Sequence, residues 1–292
     1  MDEIKLKAMA KINLGLDVIR RREDGYHEVR MIMQNVNLYD TVSMKKCAEN
    51  KIKVRTNLYY LPTNENNLVY KAAKLLKDEF DLKEGVEIDL KKHIPVAAGM
   101  AGGSADAATV LYGMNRLFKL GLSKENLMKR GVKIGADVPY CIMRGTALSE
   151  GIGEILTPLP SMPKCHVLIA KPGISLSTKY VYENLHANEL KQHPDIDGII
   201  EGIREKNVKK VAAKLENVLE TVSIKEHPII AEIKEFMKQN GALNAIMSGS
   251  GPTVFGIYDD LSLAEQAYQK LKAKNLAKQV FLTETFNLTE EA

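Results

Sequence analysis

One stretch of small residues constrains this chain more than any other: Pro95-Val96-Ala97-Ala98-Gly99-Met100-Ala101-Gly102-Gly103-Ser104-Ala105-Asp106. Behind it Ala107, Val110, Leu111, Met114 and Leu117 recur at i, i+3, i+4, i+7 and i+10, one face of a helix running to about Phe118. Residues 86–91 ahead of it read as a strand, so the order is strand, small-residue loop, helix N-terminus. A helix start presents about four unpaired N–H groups and roughly half a positive charge. Glycine and alanine keep side chains out of the way of an approaching anion, and glycine also reaches positive φ. Ser104 is placed to cap the helix and to offer its hydroxyl to a phosphate or a bound Mg²⁺. The stretch predicts an anion cradle. It is not a Walker A loop, because no Gly-Lys-Ser/Thr follows, and it lacks the G-x-G-x-x-G spacing. Gly151-Ile-Gly153 and Gly249-Ser-Gly251 also fail that fingerprint at the third glycine.

A second small-residue loop, Met247-Ser248-Gly249-Ser250-Gly251-Pro252-Thr253, lies between two apolar strands. Alone it reads as an ordinary hairpin, but two such loops in one chain suggest a shared triphosphate site. The rest of the pattern predicts strands at 3–9, 11–19, 28–38 and 40–46, with Arg22-Glu23-Asp24-Gly25 as a turn. Helical spacing covers Asn67–Phe80, 123–133, 177–185, 196–221, 226–239 and 261–274. Short strands are expected up to about 157, then at 165–170, 243–248, 253–258 and 279–284. Strands and helices mix without strict alternation, which points to an α+β fold rather than a doubly wound sheet. Three prolines in Thr157–Pro163 mark a domain connection, and 292 residues suit two domains, 1–158 and 159–292.

Composition excludes several classes. Apolar residues make up 45% and charged residues 27%, as in an ordinary globular protein. A net charge of +4 does not point to nucleic acid. The densest basic clusters, Arg20-Arg21-Arg22 and Lys91-Lys92-His93, are too short for a basic arm and read as solvated faces. Cys47, Cys141 and Cys165 are odd in number and far apart, so buried reduced thiols in a cytoplasmic protein are expected, not a disulfide framework or zinc site. The acidic N-terminus lacks the apolar core of a signal peptide, and no run of about 18 apolar residues spans a membrane.

Single residues carry weaker signals. Lys11 sits in an apolar strand, where a lysine ordinarily snorkels to solvent. Asp137 lies in Gly135-Ala136-Asp137-Val138-Pro139, where a turn or capping role is common. A Lys–Asp pair suits phosphoryl transfer, the carboxylate orienting a hydroxyl while the ammonium holds charge. Tyr26 and His27 follow a turn and are able to stack and hydrogen-bond. No second His or Cys stands at metal-ligand spacing.

Taken together, the motifs resemble those of the GHMP kinases (galactokinase, homoserine, mevalonate and phosphomevalonate kinases among them). The 95–108 stretch is similar to that family's phosphate loop. Ala10-Lys11-Ile12-Asn13-Leu14, Asp24-Gly25-Tyr26-His27-Glu28, Gly135–Pro139, Glu150–Pro158 and Ser248–Gly251 resemble family motifs in the right order and span nearly the whole chain. The Asp-Gly-Tyr-His and Gly-Ala-Asp-Val-Pro motifs point to the branch acting on a cytidine diphosphate derivative of methylerythritol.

The resemblance implies a two-domain α+β GHMP kinase fold with mixed sheets and an active site in the interdomain cleft. Residues 1–158 would form the ATP-binding domain. It implies transfer of the γ-phosphoryl group of ATP, with Mg²⁺, to the substrate's 2-hydroxyl on the non-mevalonate route to isoprenoid precursors. Asp137 would be the catalytic base and Lys11 its partner. The cradle of residues 95–105 would hold the ATP phosphates, and Asn67 would lie near the adenine. Tyr26 and His27 would recognise cytosine, Tyr182 would face it from the other side, and Asn13 would sit by the substrate. Partners would be small molecules only, without nucleic acid or membrane, the enzyme being a monomer or homodimer. Ala97, Ala98 and Ala101 depart from glycine, and Ala105 from a frequent serine, but Lys11 and Asp137 are both present. A GHMP kinase with another acceptor and a non-catalytic nucleotide-binding module are the alternatives. The aromatic residues argue against the first and the Lys–Asp pair against the second.

Overall fold

Two strands far longer than expected open the chain in the computed structural model, which describes residues 2–288. β1 (Glu3–Arg21) has 19 residues and β2 (His27–Cys47) has 21, where the sequence pattern suggests four separate strands. Nothing interrupts them. Gly15 within β1 is a close-approach site, because a Cβ there would stand 2.6 Å from Ile199 Cδ1 and 2.8 Å from Ile196 Cδ1. The expected turn between them forms: Gly25 has φ +86°, and Asp24 Oδ1 accepts from the Tyr26 N–H at 3.1 Å.

Contacts within the chain define two compact units. One comprises Met1–Ala10, Leu38–Val96 and Ala101–Met143, the other Lys11–Asn37, Ala97–Met100 and Arg144–Ala292. This division differs from a single cut at residue 158, because β1 and β2 each contribute residues to both units.

In the first unit β4 (Gly85–Lys91) pairs antiparallel with Thr41–Cys47 of β2 and parallel with β3 (Ile52–Thr56), a strand the sequence pattern does not reveal. Four helices complete it: α1 (Leu68–Glu79), α2 (Gly102–Leu117), α3 (Lys124–Gly131) and α4 (Val138–Met143). α4 is also unexpected. Pro139 looks like a breaker, yet it lies in the first turn, where its missing N–H leaves no bond unmade.

In the second unit Met31–Gln34 of β2 pairs antiparallel with β5 (Thr146–Glu150), and β5 with β6 (Ile155–Pro158). A separate antiparallel sheet runs in the order β11 (Gln279–Glu284), β7 (His166–Lys171), β10 (Val254–Tyr258), β9 (Asn244–Met247). α5 (Thr178–Glu183), α9 (Ile229–Gln239) and α10 (Leu261–Lys274) fall close to their expected places. The helix expected over 196–221 is instead α6 (Ile196–Arg204), α7 (Val208–Ala213), the short β8 (Glu216–Asn217) and the start of α8 (Glu220–Glu226). Lys206 at φ +54° ends the first piece, and Asn207 Oδ1 caps the second on the Lys210 N–H at 3.0 Å.

Mixed sheets with unalternated helices make the fold α+β, as expected. None of the three cysteines is in a disulfide, Cys47 is only half-buried, and burial pushes the Cys165 thiol up to about 12. Among the described residues no helix is long and apolar enough to cross a membrane.

Candidate active site

The small-residue loop takes a backbone that its composition only hints at. Ala97, Gly99 and Ala101 all lie in the left-handed region, at φ +50°, +71° and +54°. For the two alanines this costs about 1–2 kcal/mol each, and such strain gathers at ligand-binding turns. Gly99 has no alternative, since a Cβ there would lie 2.1 Å from the Ser248 carbonyl oxygen. The loop's carbonyls are tied back into the protein: Met100 C=O accepts from the Lys11 N–H at 3.2 Å, and Gly99 C=O from Ser248 Oγ at 2.9 Å. Among the described residues its amides from Ala97 to Ser104 donate to no backbone carbonyl.

Ser104 is not the helix cap. Ala101 holds that position, no side chain caps it among the described residues, and the first intrahelical bond runs from the Ala105 N–H to Ala101 C=O at 2.8 Å. The amides of Gly102, Gly103 and Ser104 therefore precede the hydrogen-bonded ladder, and the Ser104 hydroxyl stands in the first turn beside them. These are the features a phosphate and its Mg²⁺ require: converging N–H groups, a helix dipole and a hydroxyl oxygen ligand.

Lys11 does not snorkel. It is 4% exposed, within a run of buried residues from Ala8 to Val18, and its Nζ donates to Asn13 Oδ1 at 2.6 Å. The two side chains share one face of β1 because they are two residues apart. Asn13 Nδ2 also reaches Met31 Sδ at 3.2 Å. Asp137 immediately precedes α4, with its carbonyl accepting from the Cys141 N–H at 3.0 Å. The turn that carries it approaches the first turn of α2: a Cβ on Gly135 would lie 3.9 Å from Ser104 Oγ.

Tyr26 is 60% exposed, and His27 stacks at a tilt of 42° on Tyr182, with ring centroids 5.2 Å apart. Burial, with a smaller push from the Arg21 charge, holds the His27 imidazole below its usual pKa and so neutral. α5, which carries Tyr182, also touches the second glycine loop, Thr178 Oγ1 and Ser250 Oγ being 2.7 Å apart. Asn67 caps α1, its Oδ1 accepting from the Val69 N–H at 2.9 Å while Nδ2 donates to Pro62 C=O at 2.7 Å. One N–H of that amide is left over from these two bonds.

Two clusters escape a reading of the sequence. Lys92, expected on a solvated face, is 7% exposed and ion-paired to Asp40 and to Asp106, the latter at 2.7 Å. Asp40 also accepts from the His93 and Ile94 N–H groups, so the cluster joins the loop's entry to the second turn of α2. Burial works against the Lys92 ammonium, but the two carboxylates outweigh it and hold the pKa above the ordinary lysine value. Burial likewise pushes Asp106 well above the carboxylate range, and Lys92 pulls it back only in part. The other cluster, Asn217 with Glu220, holds the second glycine loop, as set out below. A Lys-Lys-His triplet and a lone Asn inside the helical pattern expected over 196–221 carry no sign of burial. Among the described residues no group of His, Cys, Asp and Glu is placed to hold a metal by itself.

Residues 67–145 match the GHMP kinases N terminal domain and residues 199–277 the GHMP kinases C terminal domain. A 4-diphosphocytidyl-2-C-methyl-D-erythritol kinase of Lachnospira eligens is 60% identical over 286 residues, covering 98% of this chain and 99% of the relative. One of Lachnoclostridium phytofermentans is 57% identical, covering 98% of each. The crystal structure of a 4-(cytidine 5'-diphospho)-2C-methyl-D-erythritol kinase superposes with TM-score 0.84 at 29% identity, covering 98% of this chain and 100% of the other. A homoserine kinase of Cytophaga hutchinsonii, at 19% identity and TM-score 0.77 over 97% of this chain and 95% of its own, shares the fold.

Proposed function

The chain belongs to the GHMP kinase family, and from that membership we propose that it phosphorylates the 2-hydroxyl of 4-diphosphocytidyl-2-C-methyl-D-erythritol with ATP. The products are the 2-phosphate and ADP, on the non-mevalonate route to isoprenoid precursors. The choice of acceptor rests on one observation of the structure, the His27–Tyr182 ring contact beside an exposed Tyr26. Aromatic faces of this kind take a base, and the relatives just described are named for a cytidyl substrate. Met31, against which Asn13 rests, is four residues along β2 from His27. That is about 13 Å of strand, the reach of a nucleoside diphosphate from its base to a reacting group.

Phosphoryl transfer is mostly positioning and electrostatics. The amides of residues 97–104 and the dipole of α2 hold the ATP phosphates, and the Ser104 hydroxyl would hold Mg²⁺. The ion supplies charge neutralisation on the transferring group. Asp137 accepts the proton of the 2-hydroxyl, while Lys11, oriented by Asn13, stabilises charge on the acceptor oxygen. Asn13 lines the substrate, and the remaining Asn67 N–H serves the adenine. His27, neutral, hydrogen-bonds the cytosine edge, with Tyr26 and Tyr182 against its faces. The division of the chain into an ATP-binding half, 1–158, and a second half, 159–292, assigns one family segment to each. The protein acts in the cytoplasm on small molecules, as a monomer or homodimer.

A coupled ADP-release assay tests the acceptor. Turnover on the cytidyl substrate is expected to exceed that on mevalonate, homoserine or galactose by at least 100-fold, and comparable turnover on any of these overturns the assignment. Tyr26→Ala removes a stacking face worth about 1–3 kcal/mol. The KM for the cytidyl substrate is expected to rise about 5- to 150-fold, with the KM for ATP within twofold. Because burial lowers the His27 pKa, the imidazole stays neutral until the pH falls below its ordinary value of about 6.5. The substrate KM is expected to be flat above that pH and to rise below it, and His27→Gln is expected to flatten the rise. A KM that climbs equally in both proteins removes His27 from the cytosine site.

A further inference from the structure

Asn217 takes no part in the chemistry above, yet its side chain is among the most fully engaged in the molecule. It is 2% exposed. Its Nδ2 donates to Met247 C=O and to Gly249 C=O, each at 2.8 Å, and its Oδ1 accepts from the Leu219 N–H at 3.0 Å. Both N–H donors and the acceptor are thereby used. Glu220 grips the same segment, Oε1 accepting from the Met247 N–H at 2.7 Å while Oε2 pairs with Lys234. The backbone of Asn217 is itself fixed on the strand that carries Lys11 and Asn13, since β8 runs parallel to β1 with Asn217 opposite Leu16.

The loop held in this way sits against two parts of the site. Ser248 Oγ donates to Gly99 C=O at 2.9 Å, which fixes the left-handed turn of the phosphate loop. Gly249 lies so close that a Cβ on it would stand 3.1 Å from Gly99 O and 3.4 Å from Asn13 Oδ1, the atom that receives the Lys11 ammonium. We propose that Asn217 is a positioning residue for the kinase reaction, setting through the 247–249 backbone both the Gly99 turn and the Asn13–Lys11 pair.

The physical reason is that neither contact is strong by itself. Gly99 and Gly249 present bare backbone, and a glycine loop has few internal restraints. Two carbonyls converging on one buried amide remove that freedom, and a misplacement of about 1 Å at a reacting centre costs on the order of 10² in rate. The glycine loop serves here as a brace for the site, and the buried amide sets where that brace stands. The activity readout and the CDP control rest on the kinase reading above; the ATP-analogue titration rests on the anion cradle alone.

Asn217→Asp keeps the size and the Oδ1 acceptor but sets a carboxylate oxygen against two carbonyls. In the full-length protein, kcat on the cytidyl substrate is expected to fall at least tenfold. The Kd for a non-hydrolysable ATP analogue with Mg²⁺, by titration calorimetry, is expected to rise at least fivefold. The Kd for CDP, whose aromatic site lacks Asn217, stays within twofold. Ser248→Ala removes only the hydroxyl that holds Gly99 and carries the same test should the first variant not fold; its analogue Kd is expected to rise at least threefold, again with CDP unchanged. A folded Asn217→Asp protein with wild-type kcat and analogue affinity overturns the proposal. So does a parallel loss of analogue and CDP affinity, which is general loosening, or a Ser248→Ala protein that binds the analogue normally. A wild-type protein inactive on the cytidyl substrate refutes the kinase reading instead, and the analogue titration of the two variants still decides the role of Asn217.

Discussion

Asp137→Asn is expected to lower kcat by about 10²–10⁴-fold, the usual contribution of a positioned proton acceptor, while ATP binds as before. The substitution is close to isosteric. The backbone carbonyl of residue 137, which accepts from the Cys141 N–H at 3.0 Å and so starts α4, is untouched. Packing around Tyr140, which is fully buried, is therefore preserved. What the amide lacks is a lone pair basic enough to take the proton of the acceptor hydroxyl. It also lacks the negative charge that the proposed pairing with the Lys11 ammonium would use. In the proposed site the nucleotide would be held by backbone amides and the α2 dipole, none of which the change alters, so the loss is expected to fall on kcat and kcat/KM together. Steady-state kinetics with ATP and the cytidyl substrate, alongside calorimetric titration of an ATP analogue, measures both. Turnover within tenfold of the wild type removes Asp137 from the base role.

Lys92→Met is expected to destabilise the protein by about 3–5 kcal/mol, as breaking a buried ion pair by removing one partner does. Asp40 and Asp106 would then face each other at a site where both side chains are almost wholly buried, with Asp40 left to the His93 and Ile94 amides. Asp106→Asn should behave very differently. Burial holds the Asp106 carboxyl well above its usual pKa, so its charge is costly to keep, and an amide preserves its shape without that charge. The sign follows from linkage. A carboxyl whose folded pKa is raised lends most stability below its unfolded pKa, and that stability is lost as pH rises through the folded value. Asp106→Asn, which leaves Lys92 paired with Asp40, is therefore expected to cost less than Lys92→Met and to lessen the loss of stability as pH rises above the unfolded carboxylate value of about 3.9. Urea denaturation of both variants from pH 5 to pH 9 reads this directly. A Lys92→Met protein as stable as the wild type would falsify the account. The same variant should weaken ATP binding, because Lys92 Nζ lies 3.1 Å from the point where a Gly102 Cβ would be, directly beneath the start of α2.

Much of the candidate site is legible in the order of the residues. The loop before α2 announces itself through three glycines, four alanines and a helical period behind them, all local features. Asp24-Gly25 is a turn for the same reason, and α10 and β11 fall on the residues their periodicity picks out. Lys11 reads otherwise. A lysine in an apolar strand has a long stem and ordinarily finds water, and only the run of buried neighbours from Ala8 to Val18 and the side-chain Oδ1 of Asn13 keep it inside. Ser104 likewise looks like a cap until the chain turns three residues earlier, at Ala101, and leaves it within the first helical turn.

The long strands fail in the opposite sense, since the alternation breaks at residue 10 although the backbone does not. A strand buried on both faces has no polar face to alternate with, and β1 is buried on both from Ala8 to Val18.

What the sequence determined by itself is therefore whatever depends on near neighbours: where helices begin, where turns reverse the chain, and where the backbone lies bare enough for an anion. The folded chain alone decided which polar groups are buried and what they meet. Lys92 joins carboxylates 52 and 14 residues away, and Asn217 clasps carbonyls 30 and 32 residues further on. The reason is physical. A turn or helix start is fixed by the dihedral preferences of a few adjacent residues, whereas a buried charge or amide is stable only beside partners that folding brings to it.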